Sequence, residues 1–120
     1  MKEGNVMELM VENVLNIGED EFYRASRYKL PLTVILINSI DRKAFDIIDE
    51  NIRQTDIVQQ LSSDLLIVFL AHTDNLKSMK FIDKIKNKLN FSYTCSEFKS
   101  SELKFVKKLF LDNFDKNSSY

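Results

Sequence analysis

Few side chains in this sequence combine in ways that could do chemistry, and the pair that comes nearest is Arg53 and Asp56. In Arg53-Gln-Thr-Asp56 a guanidinium and a carboxylate stand three residues apart at the end of an expected helix. Spacing alone assigns them a local surface pair worth under ~1 kcal/mol. His72, with Ser62, Ser63 and Asp74 nearby in sequence, supplies the residue types of a nucleophilic relay. Such a relay needs its nucleophile on a strained turn within reach of the base, and no motif of that kind surrounds the serines, so a solvated loop histidine is expected. Cys95 is the single cysteine, which excludes an internal disulfide. With one histidine it also falls short of the four ligands of an ordinary zinc site, and a small packed residue is the expectation. The two glycines, Gly4 and Gly18, are too few for a P-loop or a dinucleotide fingerprint. No metal site and no cofactor is expected.

Composition narrows the classes further. A chain of 120 residues with a net charge of -1 fits one soluble domain with one core. Whole-chain charge gives no case for nucleic acid. Lysines do gather in the second half, at Lys77, Lys80, Lys84, Lys86, Lys88, Lys99, Lys104, Lys107 and Lys108, where a solvated face on two helices is expected. Phe69, Phe81, Phe91, Phe105 and Phe110 lie within apolar stripes and read as core, not as platforms for bases. The opening Met1-Lys-Glu-Gly-Asn5 places an acid where a signal peptide needs a basic start and an apolar run. No segment approaches the ~20 apolar residues of a membrane span, so a cytoplasmic chain without membrane contact is expected.

The elements that must position these residues are legible from hydrophobic pattern. Ile57 to Leu61 and Leu65 to Ala71 flank Ser62-Ser63-Asp64 and read as an antiparallel hairpin. Leu65 to Leu70 is apolar without interruption, which predicts a central strand covered on both faces. Leu32 to Ile37 is a second buried strand, entered after Pro31 stops a preceding helix. That helix is expected from about Asn5 to Tyr28, with Gly18 giving either a kink or two consecutive helices. Asn38, Ser39 or Asp41 can cap a helix from Lys43 to about Gln54, with Phe45, Ile48 and Ile52 on one face. Thr73 or Asp74 can cap the next, to about Leu89, where Leu76, Met79, Ile82, Ile85 and Leu89 form a stripe read as core. Phe91 to Phe98 suits an edge strand. Ser100 or Ser101 then caps a final helix carrying Leu103, Val106, Phe110 and Phe114, with Lys116 to Tyr120 expected to fray.

The order is helix, strand, helix, strand, strand, helix, strand, helix. It predicts an α+β, ferredoxin-like sandwich: a split βαβ pattern with a mainly antiparallel four-stranded sheet and helices on one face. Residues 1–28 form an N-terminal helical extension and 29–120 the domain proper, together one globular unit. The stripe Met7, Met10, Val14 and Ile17 wants a partner surface, either the domain itself or a second copy of the chain.

Several of these segments together resemble the GGDEF (diguanylate cyclase) family. Phe22-Tyr-Arg-Ala-Ser-Arg-Tyr-Lys-Leu-Pro-Leu32 before an apolar strand is similar to the start of that domain. Arg53-Gln-Thr-Asp56, five residues and Ser62-Ser-Asp-Leu-Leu66 match its RxxD inhibitory site and its hairpin in order and spacing. Ala71-His-Thr-Asp74, opening a helix after the third strand, also fits. The resemblance runs from about Phe22 to Leu89.

The departures carry the functional expectation. The resemblance implies hairpin glycines that admit the nucleotide, and a hairpin acid joining a first-strand carboxylate to hold two metal ions. Here Ser62 and Ser63 stand for the glycines, Leu65 for the acid and Asn38 for the carboxylate, with Asp64 and Leu66 completing the altered hairpin. Magnesium requires anionic oxygen, which an amide and a leucine do not supply. The short stretch from Asp41 to Thr55 also implies that the family's base pocket is deleted. The expected protein is a shortened, degenerate GGDEF-like signalling or interaction domain in a bacterial cytoplasm, without catalytic residues or metal, acting through a protein partner or a homodimer formed by the N-terminal helix. The alternative implied by the resemblance is a cyclic di-GMP receptor using Arg53 and Asp56.

Overall fold

A computed structural model describes residues 3–118, which form α1 (Glu3–Ile17), α2 (Glu19–Tyr28), β1 (Leu32–Asn38), α3 (Ala44–Asp49), β2 (Ile57–Ser62), β3 (Leu65–Ala71), α4 (Asn75–Lys86), β4 (Ser92–Glu97) and α5 (Glu102–Ser118). The four strands join in the order β2-β3-β1-β4. Every pairing is antiparallel, and β1 lies against β3 from Leu32↔Ala71 to Asn38↔Leu65. This is the α+β sandwich expected, with the uninterrupted apolar runs at its centre.

Alternation of the strand side chains divides β1 and β3 between two cores. Val34, Leu36, Ile67 and Phe69 face one side; Ile35, Ile37, Leu66 and Val68 face the other. The second side is covered by Ala44 and Ile48 of α3 and by Phe81, Ile82 and Ile85 of α4. The first is covered by Val11 and Val14 of α1, Phe22 and Ala25 of α2, and Val106, Leu109 and Phe110 of α5. Helices therefore flank both faces of the sheet, where one face was expected. The reason lies in β1 and β3 themselves: with apolar side chains on both surfaces, they require two layers of cover.

The N-terminal helices supply much of that second layer. Val14 is fully buried, and Met7, Met10 and Ile17 pack partly buried against the chain's own core. Of the two partner surfaces expected for this stripe, the domain itself buries Val14 and packs against part of Met7, Met10 and Ile17. At Gly18 the path breaks into two helices that remain hydrogen-bonded across the break, Gly18 N–H to the Val14 carbonyl and Phe22 N–H to the Gly18 carbonyl, both at 2.9 Å. Its φ of -96° is open to any residue, so its missing side chain is what matters. A Cβ there would lie 2.3 Å from Phe69 Cε2 and 2.4 Å from Cζ. Phe69 in turn meets Phe22 edge-on at 5.5 Å, and Phe22 meets Phe98 at 4.9 Å and Phe105 at 6.1 Å. These rings fasten α2, β3, the end of β4 and α5 together.

Other expectations shift in their limits. α3 has 6 residues and ends well before Gln54, because the Asp56 carboxylate accepts the Arg53 N–H at 2.9 Å while the Asp56 N–H bonds the Arg53 carbonyl at 2.9 Å. A side chain competing for backbone donors ends the helix. Asp41 bonds the Lys43 N–H ahead of α3, and Asp74 caps α4 through the Lys77 N–H. The buried face of α4 is Ser78, Phe81, Ile82 and Ile85, continued by Leu89; Leu76 is 79% exposed and Met79 37%. Small Ser78, bonded to the Asn75 carbonyl, occupies the place an apolar stripe would give to a larger residue. On α5, Val106, Leu109, Phe110 and Asn113 face inward, whereas Leu103 and Phe114 are exposed. α5 continues through Lys116 to Ser118, so fraying does not begin there, and residues 119–120 lie outside the described residues.

Candidate functional site

Arg53 and Asp56 meet between the end of α3 and the start of β2. Arg53 Nε donates to Asp56 Oδ2 and Nη2 to Oδ1, each at 3.0 Å, while the N–H groups of Arg53 and Ala71 donate to Oδ2 and Oδ1 at 2.9 Å. The Asp56 side chain is 2% exposed and that of Arg53 58%. Arg53 Nη2 also donates to Thr73 Oγ1 at 2.9 Å and to the Ala71 carbonyl. Thr33 Oγ1 continues the network to the Thr73 carbonyl. This is no loose surface pair. A bidentate, largely dry carboxylate joins the loop before β2 to the end of β3. Each Asp56 oxygen already accepts two donors, which leaves no acceptor position free for the base that the resemblance assigned to it. Arg53 remains partly accessible beside an open depression of about 420 Å³ that His72, Lys77, Lys80 and Lys84 also line.

The hairpin lies at the other end of the sheet. Ser62 and Leu65 are register partners closing a turn through Ser63 and Asp64, with an irregularity between Gln60 and Ser62. Ser62 Oγ donates to Asp64 Oδ1 at 3.0 Å, and the Ser39 N–H donates to the Asp64 carbonyl. Asn38 and Leu65 are direct cross-strand partners, so the fold does bring together the two positions compared with metal-holding carboxylates. Their chemistry is different. Leu65 and Leu66 are buried on opposite faces of the sheet. Asn113 Nδ2 donates to Asn38 Oδ1 at 2.7 Å and to Thr94 Oγ1 at 3.0 Å, and Asn38 Nδ2 is 3.4 Å from Asn113 Oδ1. An amide tied to α5, a buried leucine and the exposed Asp64 do not make the anionic set that a magnesium pair requires, and these residues do not fit one.

Asn113 was not singled out by sequence. Its signal was a polar residue on the apolar stripe Val106, Leu109, Phe110, but the partner on β1 could not be read from the helix. Asn113→Leu is expected to cost about 1–2 kcal/mol in urea denaturation, because it removes the amide partner of Asn38 beneath α5.

The remaining candidates separate in space. His72 follows β3 while the serines precede it, so roughly 20 Å of strand divides them and no relay forms. Cys95 lies on β4 with its Sγ 3.5 Å from Ser78 Oγ. Burial pushes its thiol pKa up, against a smaller opposing effect of the Ser78 contact. Alkylation by iodoacetamide near pH 8 is expected to run slower than for a free thiol, with the rate rising only at higher pH. The sign for stability follows: this thiol's contribution is full below the ordinary thiol pKa and is lost as pH rises through the folded value.

No family model and no curated protein matches the chain. Among solved structures, one titled "The crystal structure of a DGC protein from Thermotoga maritima" superposes with a TM-score of 0.62 at 17% sequence identity, covering 87% of this chain and 91% of that one. DGC denotes diguanylate cyclase. At that identity the likeness is one of fold, and it gives the sandwich described above a GGDEF-like architecture.

Proposed function

We propose that this chain is a non-catalytic signalling or interaction domain built on a GGDEF-like fold, acting through contact with a protein partner or a second copy of itself. The observation that supports this most is the Asn38 amide held by Asn113 at the strand end where a metal-binding carboxylate would be needed. Leu65, its cross-strand partner, faces the apolar core and offers no ligand. Between β1 and β2 stands only the short helix α3 among the described residues, so nothing there encloses a purine ring. The buried layers are complete on both faces, which suits a domain kept for its surface.

Incubation with radiolabelled GTP and Mg²⁺ or Mn²⁺, followed by separation of the nucleotides, tests this reading. The wild-type chain is expected to return GTP unchanged. The paired variant Asn38→Asp/Leu65→Glu is expected to do the same, because restoring charge does not restore the pocket. Conversion by the wild-type protein that co-purifies with it would overturn the reading.

A further inference from the structure

The outer faces of α1 and α5 border a groove of about 450 Å³ whose floor is Met7, Val11 and Leu15 and whose far wall is Leu103 and Leu111. Leu103 and Leu111 are 48% and 50% exposed, and Phe114, nearly in line with Leu103 on the helix, is 56% exposed. Large apolar side chains repeated along one face are more than scattered surface hydrophobes. Charge on the two walls is segregated. Glu8 and Glu12 line the α1 side, and Lys107 lines the α5 side. Among the described residues, no ion pair involves any of these three. Glu8 and Glu12 are also four residues apart on one helix, a like-charge spacing that weakens α1 unless a cation is brought against it.

We infer that this face is a self-complementary interface and that its occupant is a second copy of the chain. The inference rests on the reading that the domain works by protein contact, and it names the partner and the surface. A two-fold axis running along the groove lays α1 of each protomer over α5 of the other. That arrangement brings Glu8 and Glu12 against the partner's Lys107 twice, and covers Leu103 and Leu111 of both copies. An axis across the groove would instead set α1 on α1, acid against acid. Charge therefore selects one of the two isologous arrangements.

Sedimentation equilibrium over a wide concentration range tests this with three proteins. Wild type is expected to show a concentration-dependent dimer. Glu8→Lys/Glu12→Lys gives a chain with cations on both walls, and Lys107→Glu a chain with anions on both. Each alone is expected to dimerise at least about tenfold more weakly, since like charges then meet on both sides of the axis. An equimolar mixture of the two is expected to recover wild-type association as a heterodimer, which a pairing within one chain could not produce. Leu111→Asp, at a half-exposed position, is expected to remove the dimer without loss of helical signal. A wild-type monomer at every concentration would overturn the inference and leave the groove to a different protein. A dimer indifferent to these substitutions would overturn the assigned face. Neither result touches the absence of turnover expected with GTP, so the two readings fail separately.

Discussion

Gly18→Ala is expected to destabilise the protein, although the same exchange at an unhindered helical position stabilises by up to about 1 kcal/mol. The sign is set by space. The new Cβ falls 2.3 Å from Phe69 Cε2 and 3.1 Å from Phe22 Cε2, far inside contact distance. Phe69 is fully buried between α2 and the rest of the aromatic cluster, so its ring has nowhere to move without displacing Phe22. Overpacking of this kind costs about 1–3 kcal/mol for alanine and more for Gly18→Val, which brings two further methyls to the same place. For a domain of this size, the valine variant is expected to lose about 10 °C or more in thermal midpoint. Combining Gly18→Ala with Phe69→Leu should cost less than the sum of the two single changes, because the smaller side chain vacates the contested volume. Wild-type stability in Gly18→Ala would show that the close approach has been misjudged.

Asp56→Ala is expected to cost about 2–4 kcal/mol in chemical denaturation, well above the value of an exposed pair. The carboxylate is almost wholly buried and holds the N–H groups of Arg53 and Ala71 as well as the guanidinium. Its removal leaves two backbone donors short of a partner and releases the loop that ends α3. Arg53→Ala should cost less than half as much, because Arg53 is more than half exposed and both backbone donors still reach the carboxylate. The asymmetry separates a structural pin from a ligand-binding pair. If Arg53 and Asp56 served mainly to hold a ligand, neither substitution would alter stability much. Equal and small losses from both would therefore contradict the account of this site.

The sheet was legible because Leu32 to Ile37 and Leu65 to Leu70 are long apolar runs whose burial on two faces follows from composition alone. The Arg53–Asp56 contact was legible as a pair but not as a buried one, since the dryness of Asp56 depends on Ala71 and Thr73 at and just beyond the C-terminal end of β3. Periodicity overstated two helices for physical reasons. On α4, Leu76 satisfied the spacing yet points away from the face set by Ser78 and Ile82. Beyond α3, the Arg53 N–H that would have extended the helix is taken by the Asp56 side chain. Gly18 announced an interruption, but the ring that demands its small size sits on β3 and is invisible to any local pattern. The pairing of Asn38 with Leu65 follows from the register of β1 on β3, and the engagement of Asn38 by Asn113 depends on α5 closing over the strand end. Tertiary partners, not local propensities, account for what the sequence left unread.

The proposed function requires that this GGDEF-like fold binds neither GTP with metal nor cyclic di-GMP. Calorimetric titration of the full chain with GTP and Mg²⁺, run beside cyclic di-GMP, tests it most directly. Both titrations are expected to give heats of dilution only, because Asn38 and Leu65 offer no metal set and the oxygens of Asp56 are already in use. Saturable binding of GTP that depends on Mg²⁺ would contradict the proposed non-catalytic reading. Micromolar binding of cyclic di-GMP that disappears in Arg53→Ala would make the chain a receptor.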